Sequence, residues 1–255
     1  MRTAAPRPPR SGKTNTVGKA STQKQSRREM IEKMQRDQAR ADRNRTLLIV
    51  IASIVVGLAI IAYPAIRLVQ DSRTKNQAIS ELGVSASAAS CDAPTDDKAG
   101  GTQDHKPEGT VINYSVSPPS SGPHYPVWAP FGKKFYTLDD RPQIANLVHN
   151  LEHGYTILWY KSSLPKDQVD LIEKMSKGKL PDSSRGKFIA APFRETDGKA
   201  WPDGKNIAFS HWSGNAAGAT DAFGHRQFCG SVSGEALTQF MDKYPATDAQ
   251  EPNGG

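Results

Sequence analysis

At 255 residues, 36% of them hydrophobic, the chain is long enough for one or two domains, and its formal net charge is +7. Residues 1–46 hold thirteen Lys and Arg against four Asp and Glu, a balance of +9 that leaves −2 for the remaining 209 residues. Basic side chains bind nucleic acid by neutralising phosphates, but an excess confined to a tail beside an apolar run argues against nucleic acid and for a membrane surface.

In chain order, residues 1–22 are rich in Pro, Gly, Ser, Thr and basic residues and bury too little apolar surface to offset ordering entropy, which predicts a disordered basic tail. From 23 to 45 the composition shifts to good helix formers, QKQSRREMIEKMQRDQARADRNR, predicting a charged juxtamembrane helix that meets anionic lipid headgroups or simply solvent. Leu47 to Ile66 follow as twenty uncharged residues, LLIVIASIVVGLAIIAYPAI. A helix of that length spans about 30 Å, the thickness of a bilayer's hydrocarbon core. A buried core helix would show a polar face, and this run has none. We assign 46–67 as a single transmembrane helix in the plasma membrane.

Lys and Arg between Lys24 and Arg45 outnumber the three on the far side, Arg67, Arg73 and Lys75. The positive-inside rule therefore places the amino terminus in the cytoplasm and the rest of the chain outside. The run fits a signal-anchor better than a cleaved signal peptide, which has a short leading region and a shorter apolar stretch. The two cysteines, Cys91 and Cys229, have no CxxC spacing, and in an oxidising compartment they are expected to form one disulfide.

Residues 68–104, small and polar, read as a linker; 105–245 read as the folded extracytoplasmic domain, and 246–255 as a polar tail. PPSSGPHYPVWAPFG (118–132) carries five prolines, which fix backbone angles and remove donors, so an ordered loop is expected. TILWYK (156–161), KFIAAPF (187–193) and NIAFSHW (206–212) read as strands. Between the first two, Pro165 suits a first helical turn and Gly178 a stop. A last helix starts at Ser233, with Leu237, Phe240, Met241 and Tyr244 on one face. The order β-α-β-β-α predicts an α+β fold, a small antiparallel sheet with helices on one side.

All six histidines fall in the outer region. In LVHNLEHGY (147–155), a helix would put His149 and His153 on one face, with Glu152 beside them. Two neutral imidazoles so placed are ligands for zinc or copper, and the carboxylate would orient a ring or act as a base. HNLEH also matches the inverted zincin pattern H-x-x-E-H. Gly154, however, ends the helix at once, and no third ligand of such enzymes is identifiable. His124 in the Pro-rich loop and His105 at the start of the domain are further ligand candidates, whereas His211 and His225 read as structural. No GxSxG elbow, phosphate loop or dinucleotide fingerprint is present.

NYSVSPPSSGPHYPVWAPFG and LVHNLEHGYTILWY, with a weaker Asp-His start, resemble a family of actinobacterial-type membrane-anchored proteins carrying a domain of unknown function. The resemblance covers about 103–245 through the PPSSGPHYP and VHNLEHG motifs. It implies an N-terminal anchor and an extracytoplasmic domain, and it carries over His105, His124, His149, Glu152 and His153 without roles. Three readings follow. One is a metal-binding envelope domain using His149, His153, His124 and His105 for zinc or copper. The second is a non-catalytic interaction module. The third is a metal-dependent hydrolase with Glu152 as general base.

Overall fold

A computed structural model describes residues 17–100, 103–214 and 221–254. The disorder expected for 1–22 falls outside the described residues as far as 16, and from Val17 the chain is helical. The chain divides into two compact units between Leu68 and Val69.

Helix α1 (Val17–Asn76) runs unbroken through the charged stretch and the apolar run. It is long and apolar enough to cross a membrane. Its apolar side chains, among them Leu48, Ile54, Leu58 and Ile61, are more than half open, as a surface facing lipid requires. The hydroxyl of Ser53, inside the apolar run, donates back to the Ile49 carbonyl at 2.8 Å, so the helix satisfies this polar group internally, as a membrane span requires.

The second unit is α+β. Five strands stand in the order β1-β5-β4-β2-β3: β1 (Thr95–Lys98), β2 (Thr156–Lys161), β3 (Phe188–Phe193), β4 (Ile207–Ser213) and β5 (Phe223–Cys229). All pairs are antiparallel except β2 with β3. That parallel pair needs a crossover, supplied by α3 (Lys166–Lys177). The sheet is covered on both faces, which is why β2 and β3 read as nearly continuous apolar runs. On one face α3 and α4 (Gly234–Lys243) pack Ile172, Met175, Leu237 and Phe240 against Leu158, Phe188, Ile207 and Phe209. On the other, α2 (Ile144–Glu152) packs Leu147, Val148 and Leu151 against Ile157, Trp159, Ile189 and Trp212. The expected one-sided helical layer thus comprises α3 and α4, with α2 on the opposite face.

Ser233 caps α4, its hydroxyl accepting from the Ala236 amide at 3.1 Å. The free edge of β3 is covered by the chain at 134–136, where Tyr136 donates to Ala190 and Ala190 to Lys134. The other edge, β1, is the charged TDDK, a composition that discourages pairing with a further strand.

Two boundaries differ from expectation. The segment 68–104 is no linker: it completes α1, buries Ile79, Leu82 and Ala89, and contributes β1. In the polar segment that begins at 246, the described residues through 254 pack on the domain: Ala246 and Ala249 are buried, and the Lys187 ammonium donates to the carbonyls of His153, Pro252 and Gly254. Scattered single side chains and backbone groups make these contacts, and they leave no periodic pattern in the sequence. The expected disulfide is present between Cys91 and Cys229.

Gly154 joins α2 to β2 at φ +88°, and a Cβ there would stand 2.4 Å from the Ala246 carbonyl oxygen. Gly154→Ala is expected to destabilise the domain by about 2–4 kcal/mol, left-handed strain adding to overpacking against backbone that cannot yield. A denaturant melt of the variant beside the parent measures this.

Candidate metal centre

The Pro-rich loop has few backbone donors, so α2 holds it with side chains. Asn146 donates to Val127 O at 2.7 Å, and the Asn150 amide both accepts from Ala129 N (2.8 Å) and donates to Ala129 O (2.9 Å). His149 Nδ1 donates to Tyr125 O at 2.6 Å. Positions 146, 149 and 150 share one face of α2, and that face fixes the loop and sets His124 above the helix. The other end of the site is placed by backbone. His124 N donates to Asp104 O and Lys106 N to His124 O, which pairs His105 alongside His124.

The three imidazoles of His105, His124 and His149 form a nearly equilateral triangle, with ring centroids 4.8, 4.9 and 4.7 Å apart. Glu152, one turn along α2 from His149, completes the group. The atoms these four residues would offer a metal all lie within 4.8 Å of one another. A tetrahedral zinc shell at about 2.0–2.1 Å sets its ligand atoms roughly 3.3–3.4 Å apart, so binding would draw the group slightly inward.

Protonation follows from the hydrogen bonds. His124 Nδ1 faces the Gly122 carbonyl at 2.9 Å and His149 Nδ1 faces the Tyr125 carbonyl, so each carries its proton there and keeps a lone pair on Nε2. The His124 Nε2 lone pair lies 3.1 Å from Glu152 Oε2. Both atoms are buried and neither has an aligned hydrogen-bond partner. Two acceptors cannot face each other in a dry site without a cation between them, either a proton or a metal ion.

Burial above all, then the neighbouring histidines, pushes the His149 imidazole down to about 4, against the hydrogen bond to Tyr125. Burial would raise Glu152, but the contacts with His124 and the Gln103 amide overcome it and hold the carboxyl below its ordinary value. At neutral pH His149 is therefore a neutral ring and Glu152 a carboxylate, the forms that ligate metals. For His149 the unfolded chain takes up a proton first, so stability is fully present above about 6.5 and is lost as pH falls toward about 4. The chelator-treated domain is expected to lose on the order of 1–3 kcal/mol from this group between pH 7 and 4.5, read from denaturant melts at the two values.

His153 lies beside the four rather than among them. It is the C-cap of α2, its ring 4.7 Å from that of His149 and 5.3 Å from that of Trp128, and its Nδ1 is 3.5 Å from Glu251 Oε2. The i, i+4 spacing with His149 is geometrically right, but the last turn aims His153 at the C-terminal segment. The i, i+3 residue, Glu152, faces His124 instead. His211 and His225 belong to a separate cluster on β4 and β5. Asn146 and Asn150 position the loop, and their sequence signal is two amides among the apolar residues of α2, each needing a partner when buried.

A family model described as "Protein of unknown function (DUF3105)" matches residues 105–255, a span that contains His105, His124, His149 and Glu152. No curated protein and no solved structure matches the chain.

Proposed function

We propose, for a chain that belongs to the DUF3105 family of proteins of unknown function, that the domain beyond Leu68 binds one divalent metal ion, zinc or copper, outside the plasma membrane. The observation that carries this reading is the clustering of three imidazoles and one carboxylate whose ligand atoms lie within 4.8 Å of one another, with His124 Nε2 and Glu152 Oε2 buried and facing each other at 3.1 Å. Imidazole nitrogens suit Zn²⁺ and Cu²⁺, and with no Cys or Met in the set nothing selects Cu⁺. The Nδ1 bonds to Gly122 and Tyr125 act as the outer partners that orient ligating histidines. The exposed side of His105 supplies the way in.

Helix α1 serves in this reading as a single-pass signal-anchor, its basic cytoplasmic stretch lying against anionic headgroups. The Cys91–Cys229 disulfide supports an oxidising location for the domain. The hydrolase reading has less support: the Glu152 side chain is fully buried, with Oε1 accepting from the Gln103 amide at 2.6 Å, a placement suited to a held ligand rather than to a base that meets solvent water. A purely structural module is favoured by one observation, that His149 also staples the loop to α2.

Titration of the metal-free protein separates these. One equivalent of Zn²⁺ or Cu²⁺ should bind, and a hundredfold excess over Kd should add about 2.7 kcal/mol of stability. An unchanged melt at all metal concentrations would leave the structural module.

A further inference from the structure

A second polar cluster lies on the sheet face that carries α3 and α4. The β1–β5 register sets Asp96 opposite His225, and the β4–β5 register sets Ser213 on the diagonal from His225. His225 Nδ1 lies 2.6 Å from Asp96 Oδ1, and its Nε2 lies 2.6 Å from Ser213 Oγ. A carboxylate accepts only, so the imidazole proton sits on Nδ1 and the Nε2 lone pair accepts the Ser213 hydroxyl proton. Tyr244 fixes both partners: its hydroxyl donates to the same Asp96 oxygen at 2.9 Å, and its ring stacks on His225 at 3.8 Å and 18°. Among the described residues His225 is buried, Ser213 half-buried and the Asp96 carboxylate about half exposed at 52%. The neighbouring His211 is different. Its Nδ1 faces the Tyr155 carbonyl and its Nε2 faces Asp248, so neither nitrogen faces a hydroxyl.

We propose that Ser213, His225 and Asp96 form a nucleophile, base and orienting acid that hydrolyse an activated carboxylic ester, separately from the metal cluster. Hydroxyl to Nε2 and Nδ1 to carboxylate is the arrangement that defines such triads irrespective of fold or chain order. Ser213 Oγ adds to the ester carbonyl carbon while its proton passes to His225 Nε2. The tetrahedral adduct then breaks its bond to the leaving alcohol, which departs with that proton. Water attacks the acyl carbon with His225 again taking the proton, releasing the carboxylic acid and restoring the Ser213 hydroxyl. Asp96 stays ionised throughout and holds the ring.

The test is labelling of the full chain in detergent with a fluorophosphonate reporter, the modified peptide being located by mass spectrometry. One label per chain on Ser213 is expected, and none in Ser213→Ala. His225→Gln should slow labelling by about 10²–10⁴-fold, with Asp96→Asn slowing it in the same direction as a variant of nearly unchanged shape. Ser183 also donates to a carboxylate, Asp242, at 2.6 Å but has no imidazole partner. Ser183→Ala should leave the rate unchanged. Thermal melts matching the parent show that each variant is folded. An unlabelled parent, or equal labelling rates in the folded His225→Gln protein, would overturn the assignment and leave a structural network.

Discussion

Replacing His124 and His149 together by alanine should abolish stoichiometric zinc or copper binding while the domain stays folded. Two of four converging donors would go, and the remaining His105 and Glu152 cannot close a shell. Loss of a supporting outer-shell partner alone costs about 10–100-fold in affinity, so each single ligand replacement should exceed that. Glu152→Gln keeps an oxygen in place but removes the charge, and should weaken binding less than either histidine replacement. His211→Ala should leave metal content unchanged, because both of its ring nitrogens face acceptors elsewhere. Asn146 and Asn150 hold the loop without His149, so the double variant should retain its fold. Elemental analysis after gel filtration, with a melt of each variant, reads these outcomes. Undiminished metal in the folded double variant would place the ion somewhere else.

Removing the disulfide should have the largest effect on stability. Cys91 and Cys229 close a loop of sequence separation 138, and in the chain-entropy model a cross-link of that span stabilises by about 5 kcal/mol. Cys229 is fully buried in the core that holds Leu237 and Phe240, so a serine there adds an unsatisfied hydroxyl. Cys91→Ser/Cys229→Ser is therefore expected to unfold at markedly lower denaturant, with a loss of at least about 3 kcal/mol. The same loss should follow reduction of the parent. A change under about 1 kcal/mol would show that the unfolded chain is already constrained by other means.

Much of the fold is legible because its causes are local. The apolar run of α1, the three continuous strands β2, β3 and β4, and the helix begun by Ser233 each carry their own pattern. Strand β1 does not, since TDDK is a strand only because β5 offers it a register. Strand β5, FGHRQFC, carries His225 and Gln227 on an inward face, and what makes that tolerable, Asp96 and Tyr244, comes from elsewhere in the chain. The histidine-bearing motifs were visible, but which side chains converge was not. Helical spacing alone favours His149 with His153. The turn at Gly154 and the loop held by Asn146 and Asn150 decide for Glu152 with His124. A tertiary contact settles that choice, and no spacing rule carries it. The Ser213, His225 and Asp96 constellation is the extreme case, being three strands read through two registers.

The most direct measurement is diffraction from crystals of the Val69–Gly255 unit grown with zinc, recorded on both sides of the zinc absorption edge. A single strong anomalous peak is expected about 2.0–2.1 Å from ring nitrogens of His105, His124 and His149 and from a Glu152 oxygen. A cluster without a peak, its His124 ring donating a proton to Glu152 instead, would contradict the metal site and establish the four residues as a buried ion pair with two structural histidines.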